Sequence, residues 1–138
     1  MQTFLPYSDF HKCAKSLDMK RLGKQRVEGI QIYRSLTIES YGWKQHPVVK
    51  MWRGHENALL YYVNNIIIEW VSRGYKNNIP LNDITWPISY PDWLGNSKLH
   101  LSHQSNLLRK EPDFYNKYNW KVPSDLPYYW CGFAKGEN

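Results

Sequence analysis

The chain contains only two cysteines in 138 residues, Cys13 and Cys131. That is too few for a disulfide framework and lacks the paired spacing of a zinc site. Both are expected to be free thiols, and with no signal-peptide pattern ahead of them the expectation is a cytoplasmic protein. Long apolar runs are also missing. The richest, Ile66-Ile67-Ile68, is flanked by Asn65 and Glu69 and falls far short of the ~18 residues of a membrane span. The eight glycines form no G-x-G-x-x-G fingerprint, Walker loop or G-x-S-x-G elbow, so familiar dinucleotide enzymes, nucleotide hydrolases and serine hydrolases are unsupported. There is no H-E-x-x-H. No metal and no cofactor is therefore expected, although His100 and His103 share a helical face at i and i+3. Repeats, low-complexity tracts and linkers are absent too, so residues 1–138 are expected to form a single domain, long enough to bury one core without staples.

What is present is positive charge and aromatic surface. Acidic residues number 12 against 18 Lys plus Arg, a formal net charge of +6, which favours polyanions such as nucleic acid or nucleotide phosphates. Seven Trp and eleven Tyr exceed what a core of this size needs, and base stacking is one use for the surplus beside ordinary packing.

The periodicity predicts a compact all-α fold of about four helices. Ser8 and Asp9 can cap a first helix to about residue 16, and Asp18 a second to about residue 36. Pro47 can open a long third helix over about 48 to 73, closed by Gly74, with Trp52, Leu59, Val63, Ile66 and Trp70 on its apolar stripe. Pro80, Pro87 and Pro91 predict an irregular aromatic connector, followed by a fourth helix over about 97 to 110, a short helical turn after Pro112, and an aromatic C-terminal tail.

At ~100° per residue, Arg26 falls on the apolar arc of the second helix with Met19, Leu22, Ile30 and Tyr33, whereas Lys20, Lys24 and Glu28 point away. A lone buried guanidinium costs several kcal/mol, so Arg26 is expected to meet a carboxylate of the chain or an anion from outside. Glu56 lies on the apolar arc of the third helix, with His55 at its edge. The two readings are an Arg26–Glu56 bridge between helices and a polar pocket that both residues line. In the second, Lys20, Arg21, Gln25, Arg26, Arg53, His55, His103 and Arg109 are candidates for holding phosphate or ligand. Trp52, Trp93, Tyr129 and Trp130 are candidates for stacking a base. Glu28 or Glu56 could move a proton, and a lysine or the chain's α-amine could attack a sugar C1′ to form a Schiff base; Lys24 and Met1 are the candidates.

With these residues in view the sequence resembles the pyrimidine-dimer DNA glycosylase family, the phage-type endonuclease V class, in a branch of bacteria and phages. The resemblance rests on Met1-Gln2-Thr3-Phe4-Leu5-Pro6, the block Lys20 to Glu28, His46-Pro47, Met51 to Glu56, Arg73-Gly74-Tyr75, Trp93-Leu94-Gly95, Ser102 to Pro112, and the tail around Tyr128, Tyr129 and Trp130. It implies an all-α fold, DNA as partner, location in a host cytoplasm if the gene is a phage's, and a reaction in which an N-terminal amine attacks the glycosidic carbon, assisted by a glutamate of the second helix. Two positions depart from that pattern. Gln2 replaces the threonine that would carry the amine, and its bulk predicts that Met1 is retained; Gly23 stands where the glutamate aligns. The expectation is thus a base-excision glycosylase or AP lyase-like protein with altered catalytic residues. The alternatives are a non-catalytic binder that sequesters a small phosphorylated nucleotide signal, and an interaction protein using its basic face.

Overall fold

The computed structural model describes residues 1–131. Asp9 caps α1 (Phe10–Ser16) by accepting from Lys12 N at 2.9 Å, and Asp18 caps α2 (Met19–Thr37) through Arg21 N. Both starts are where short acceptor side chains precede a helical pattern. His46 caps α3 (Pro47–Trp52), its Nδ1 accepting from Val48 N at 3.1 Å, with Pro47 in the first turn. Next comes α4 (Glu56–Ser72), which ends at Gly74, φ +91°.

The single long third helix expected from periodicity is in fact two. Gly54 adopts φ +86° and breaks the helix after Trp52. The Glu56 side chain then accepts from Gly54 N at 3.2 Å. The apolar stripe runs through the break because Trp52 of α3 and Leu59, Tyr62, Val63 and Ile66 of α4 all enter one core.

The connector from 75 to 96 is irregular, as its prolines require. It is held to α4 by two asparagines that mimic strand pairing. Asn64 accepts from Asn82 N (2.8 Å) and donates to Asn82 O (2.9 Å), and Asn57 does the same with Thr85 at 2.9 and 2.8 Å. α5 (Ser97–Lys110), capped by Asn96, and α6 (Pro112–Tyr115) follow, and a 3-10 turn (Asn116–Tyr118) leads into a tail that returns along α5. There, Leu126 N and Tyr129 N donate to the hydroxyls of Ser105 and Ser102. Among the described residues there is no strand, and no helix is long and apolar enough to cross a membrane.

The α2–α4 contact is close because of Gly29. A Cβ there would lie 2.4 Å from Val63 Cγ2, so something must shift, and a buried β-branched neighbour is stiff at χ1. Gly29→Val should therefore cost at least about 2 kcal/mol by overpacking, read as a lowered denaturation midpoint. Gly42→Ala, at a site where an added Cβ meets nothing within 4 Å, should leave the midpoint unchanged.

Candidate functional site

Residues 2 to 6 are buried yet belong to no helix, so their backbone polar groups need partners from elsewhere. Side chains of three helices supply them. Gln25 of α2 receives Phe4 N on its Oε1 (3.0 Å) and donates through Nε2 to Gln2 O (2.8 Å). Tyr62 of α4 donates to Phe4 O at 2.9 Å and to Gln25 Oε1 at 2.6 Å. From α5, His103 Nδ1 accepts from Leu5 N (2.8 Å), His100 Nδ1 meets Leu5 O (2.7 Å), and Gln104 donates to Pro6 O (2.8 Å). These bonds fix the tautomers. His100 Nε2 accepts from Gly95 N at 2.9 Å, so its proton lies on Nδ1; His103 carries its proton on Nε2, edge-on to the Tyr128 ring.

The clamp delivers the chain's first residue to a cleft. Glu28 Oε2 accepts from Gln2 N at 3.1 Å and from Gln25 Nε2 at 3.3 Å, so a carboxylate is held one residue from the α-amine. Around them a cleft of about 250 Å³ is lined by Met1, Gln2, Arg21, Lys24, Lys110 and Tyr128, among others. Arg21 donates to Asp18 at 3.3 Å and Glu111 at 3.1 Å, which orients its guanidinium at the rim. Burial pushes the Tyr128 phenol up to about 12, keeping its proton on the oxygen. His46 is pushed down, first by burial and then by the α-ammonium charge, with Glu28 opposing; an imidazole therefore lies within electrostatic reach of both groups. A larger apolar cleft between α4 and the connector, about 700 Å³, carries no titratable side chain and offers no chemistry of its own.

Of the residues singled out in the sequence, Met1, Arg21, Lys24 and Glu28 meet in this cleft, while Gln25 lies beneath it with its amide fully engaged by Gln2, Phe4, Tyr62 and Glu28. Gln25 is therefore a bridge in the clamp rather than a phosphate ligand. Arg26 meets neither Glu56 nor an anion site. Its Nη1 donates to Asn77 Oδ1 at 2.7 Å and its guanidinium lies 4.4 Å over the Trp70 ring. Half-burial on an indole face keeps the charge tolerable without a counter-ion. Glu56 is taken up by Gly54, and Arg53 is exposed, reaching Lys44 O at 3.4 Å.

Trp52 and Trp93 cannot stack a base. They form a T-shaped pair at 5.0 Å within the core, and their indole N–H groups donate to Thr3 Oγ1 and Met51 O. Arg109 holds the tail through Ser124 O, Leu126 O and Asn106 Oδ1. His55 stands at the N-cap position of α4 without a side-chain capping bond, Lys20 is exposed outside the cleft lining, and Tyr129 lies exposed beside Lys98. Trp130 tilts against Tyr128 and meets His46 edge-on. Gly23 faces Trp70, where an added Cβ would lie 3.0 Å from the ring; a side chain there would not enter the cleft.

Sequence reasoning missed Lys110 and Tyr128 as parts of one site. In the sequence Tyr128 is only one aromatic of the tail and Lys110 one more basic residue at the end of a helix; neither carries a local signal of its neighbours. Both ring nitrogens of His100, and Nδ1 of His103, face backbone, and among the described residues no cluster of three or more His, Cys, Asp or Glu is placed to hold a metal.

A family model described as pyrimidine dimer DNA glycosylase matches residues 1–83, a span that includes the clamped segment and Glu28. Among curated proteins and among solved structures, nothing matches the chain.

The clamp should respond to acid. Burial, with His100 adding to it, pushes His103 down to about 3, below the ~6.5 of an unfolded histidine. The unfolded state then binds the extra proton between those values, so stability is complete above about pH 6.5 and falls as pH drops through the window. Denaturant melts between pH 7.5 and 5 should show a loss approaching about 1 kcal/mol per pH unit from this residue. His103→Asn, which keeps an acceptor for Leu5 N, should flatten the dependence; an unchanged slope would contradict the assignment.

Proposed function

The chain belongs to the pyrimidine dimer DNA glycosylase family, and from that premise we propose that it acts on DNA as a glycosylase with lyase chemistry, using the α-amine of Met1 and the carboxylate of Glu28. The observation that carries this reading is the bond from Gln2 N to Glu28 Oε2 at 3.1 Å, which holds a proton-transfer group beside the chain's first amine.

In this reaction the neutral amine attacks C1′ of a deoxynucleotide extruded toward the cleft. The new C1′–N bond forms as the glycosidic bond breaks, its electron pair leaving with the base, which takes up a proton. The ammonium formed on attack gives a proton to the Glu28 carboxylate, which passes it to the ring oxygen; the C1′–O bond breaks as the nitrogen lone pair completes the imine. The Glu28 carboxylate then removes a C2′ proton, the C3′–O bond breaks and the 3′ phosphate departs. Water hydrolyses the remaining imine. Lys24 and Lys110, both exposed at the cleft, supply positive charge for the flanking phosphates, and Arg21 adds an oriented guanidinium. The protonated Tyr128 phenol is a donor at the same wall.

Borohydride trapping on a duplex with one abasic site tests the proposal. A covalent adduct should form, and peptide mapping should place it on residue 1 rather than on Lys24. Glu28→Gln keeps an acceptor for Gln2 N but cannot exchange a proton, and should slow trapping by roughly 10²–10⁴-fold. Arg26→Ala should leave it within a few-fold. No adduct from the wild-type protein, together with tight binding of a free nucleotide, would replace this reading with that of a nucleotide-sequestering protein.

A further inference from the structure

Trp43 is 60% exposed and adopts φ +71°. A bulky residue in the left-handed region is a backbone outlier, and an exposed indole gains little from burial to offset it. The surrounding loop is nonetheless firmly tied. Lys44 Nζ donates to Ser35 O (2.7 Å) and Ile38 O (2.8 Å) at the end of α2, and Trp43 O accepts from His46 N at 2.9 Å. The unusual conformation is therefore built in by its neighbours, and strain of this kind concentrates where a side chain has work to do outside the fold.

A continuous series of ring contacts connects this indole with the cleft. Trp43 meets His46 edge-on at 6.3 Å, His46 meets Trp130 at 6.1 Å, and Trp130 tilts against Tyr128 at 5.7 Å. Tyr128 lines the cleft with Lys24 and Lys110. An exposed aromatic ring a few nucleotide steps from a cationic cleft is the arrangement with which proteins hold a strand by stacking its bases.

We propose that Trp43 is a DNA-positioning residue, stacking on a nucleobase a few steps along the strand from the nucleotide whose sugar enters the cleft. This rests on the reading of the cleft as a DNA site, and it assigns to the 38–46 loop a contact that the core-bound Trp52 and Trp93 cannot make.

The test compares wild type, Trp43→Gly and Trp43→Phe on a duplex with one abasic site, by fluorescence anisotropy across a salt series and by thermal melting of the free proteins. Glycine accepts positive φ freely, so Trp43→Gly should raise the Tm by about 2–4 °C. It should also weaken DNA binding about tenfold or more, with the slope of log Kd against log salt unchanged, because no phosphate contact is lost. Trp43→Phe should recover most of the affinity. An unchanged Kd in Trp43→Gly, or a fall in Tm accompanying weaker binding, overturns the inference. Wild-type protein that binds the duplex without forming an adduct, while Trp43→Gly binds more weakly, supports the stacking contact and overturns only the reaction. Failure of the wild type to bind the duplex at any salt overturns both.

Discussion

Residues 2 to 6 are fixed by side chains instead of by a helix or sheet ladder, and the candidate site depends on that. An ordinary hydrogen bond contributes about 1 kcal/mol net, but an orphaned buried amide costs about 1–3 kcal/mol. Removing Gln25 would affect Gln2 O, Phe4 N, Tyr62 and Glu28 together, so its effect would exceed a single bond. The same network that stabilises the fold prevents the chain start from fraying, as termini usually do.

Local signals made much of the fold legible. Asp9, Asp18, Asn96 and Pro47 start helices where short acceptors or proline precede an apolar period, and Gly74 ends one. Gly54 sat in plain view but was absorbed into a helix because the apolar period continues across it; a mid-helix glycine is tolerated often enough that periodicity outweighed it. The site was legible only in part, for a different reason. The helical wheel separates buried from exposed faces but does not name the neighbour on each face. It put Arg26 on the inner arc, and that arc turns out to meet Trp70 and Asn77. The contacts that bring Leu5 to His100 and His103 span 95 and 98 positions, and no local pattern encodes such a separation.

Gly23, Arg26, Trp70 and Asn77 form one structural unit. The indole lies under the guanidinium and against the glycine, so a long side chain at position 23 would compete for the face that Arg26 uses. The residue that resemblance would assign as the acid is absent where the ring needs space. A carboxylate is instead available one turn after Gln25, at Glu28, and Gln25 Nε2 helps to orient it. One helix thus divides its labour, with the Gly23–Arg26 face packing α4 and the connector and the Gln25–Glu28 face holding the chain start.

The same division explains where the excess positive charge acts. Arg21 is offset by Asp18 and Glu111, Arg73 by Glu69, Arg26 rests on an indole, and Arg109 is bonded to tail carbonyls and Asn106. A guanidinium makes several directed bonds at once, and in this fold those bonds are largely internal. Lys24 and Lys110 are exposed at the cleft with no ion pair among the described residues. With the α-amine they outnumber the one carboxylate of the lining, Glu28, so the cleft keeps a net positive charge. A field of this kind suits an anionic ligand but carries no sequence information by itself.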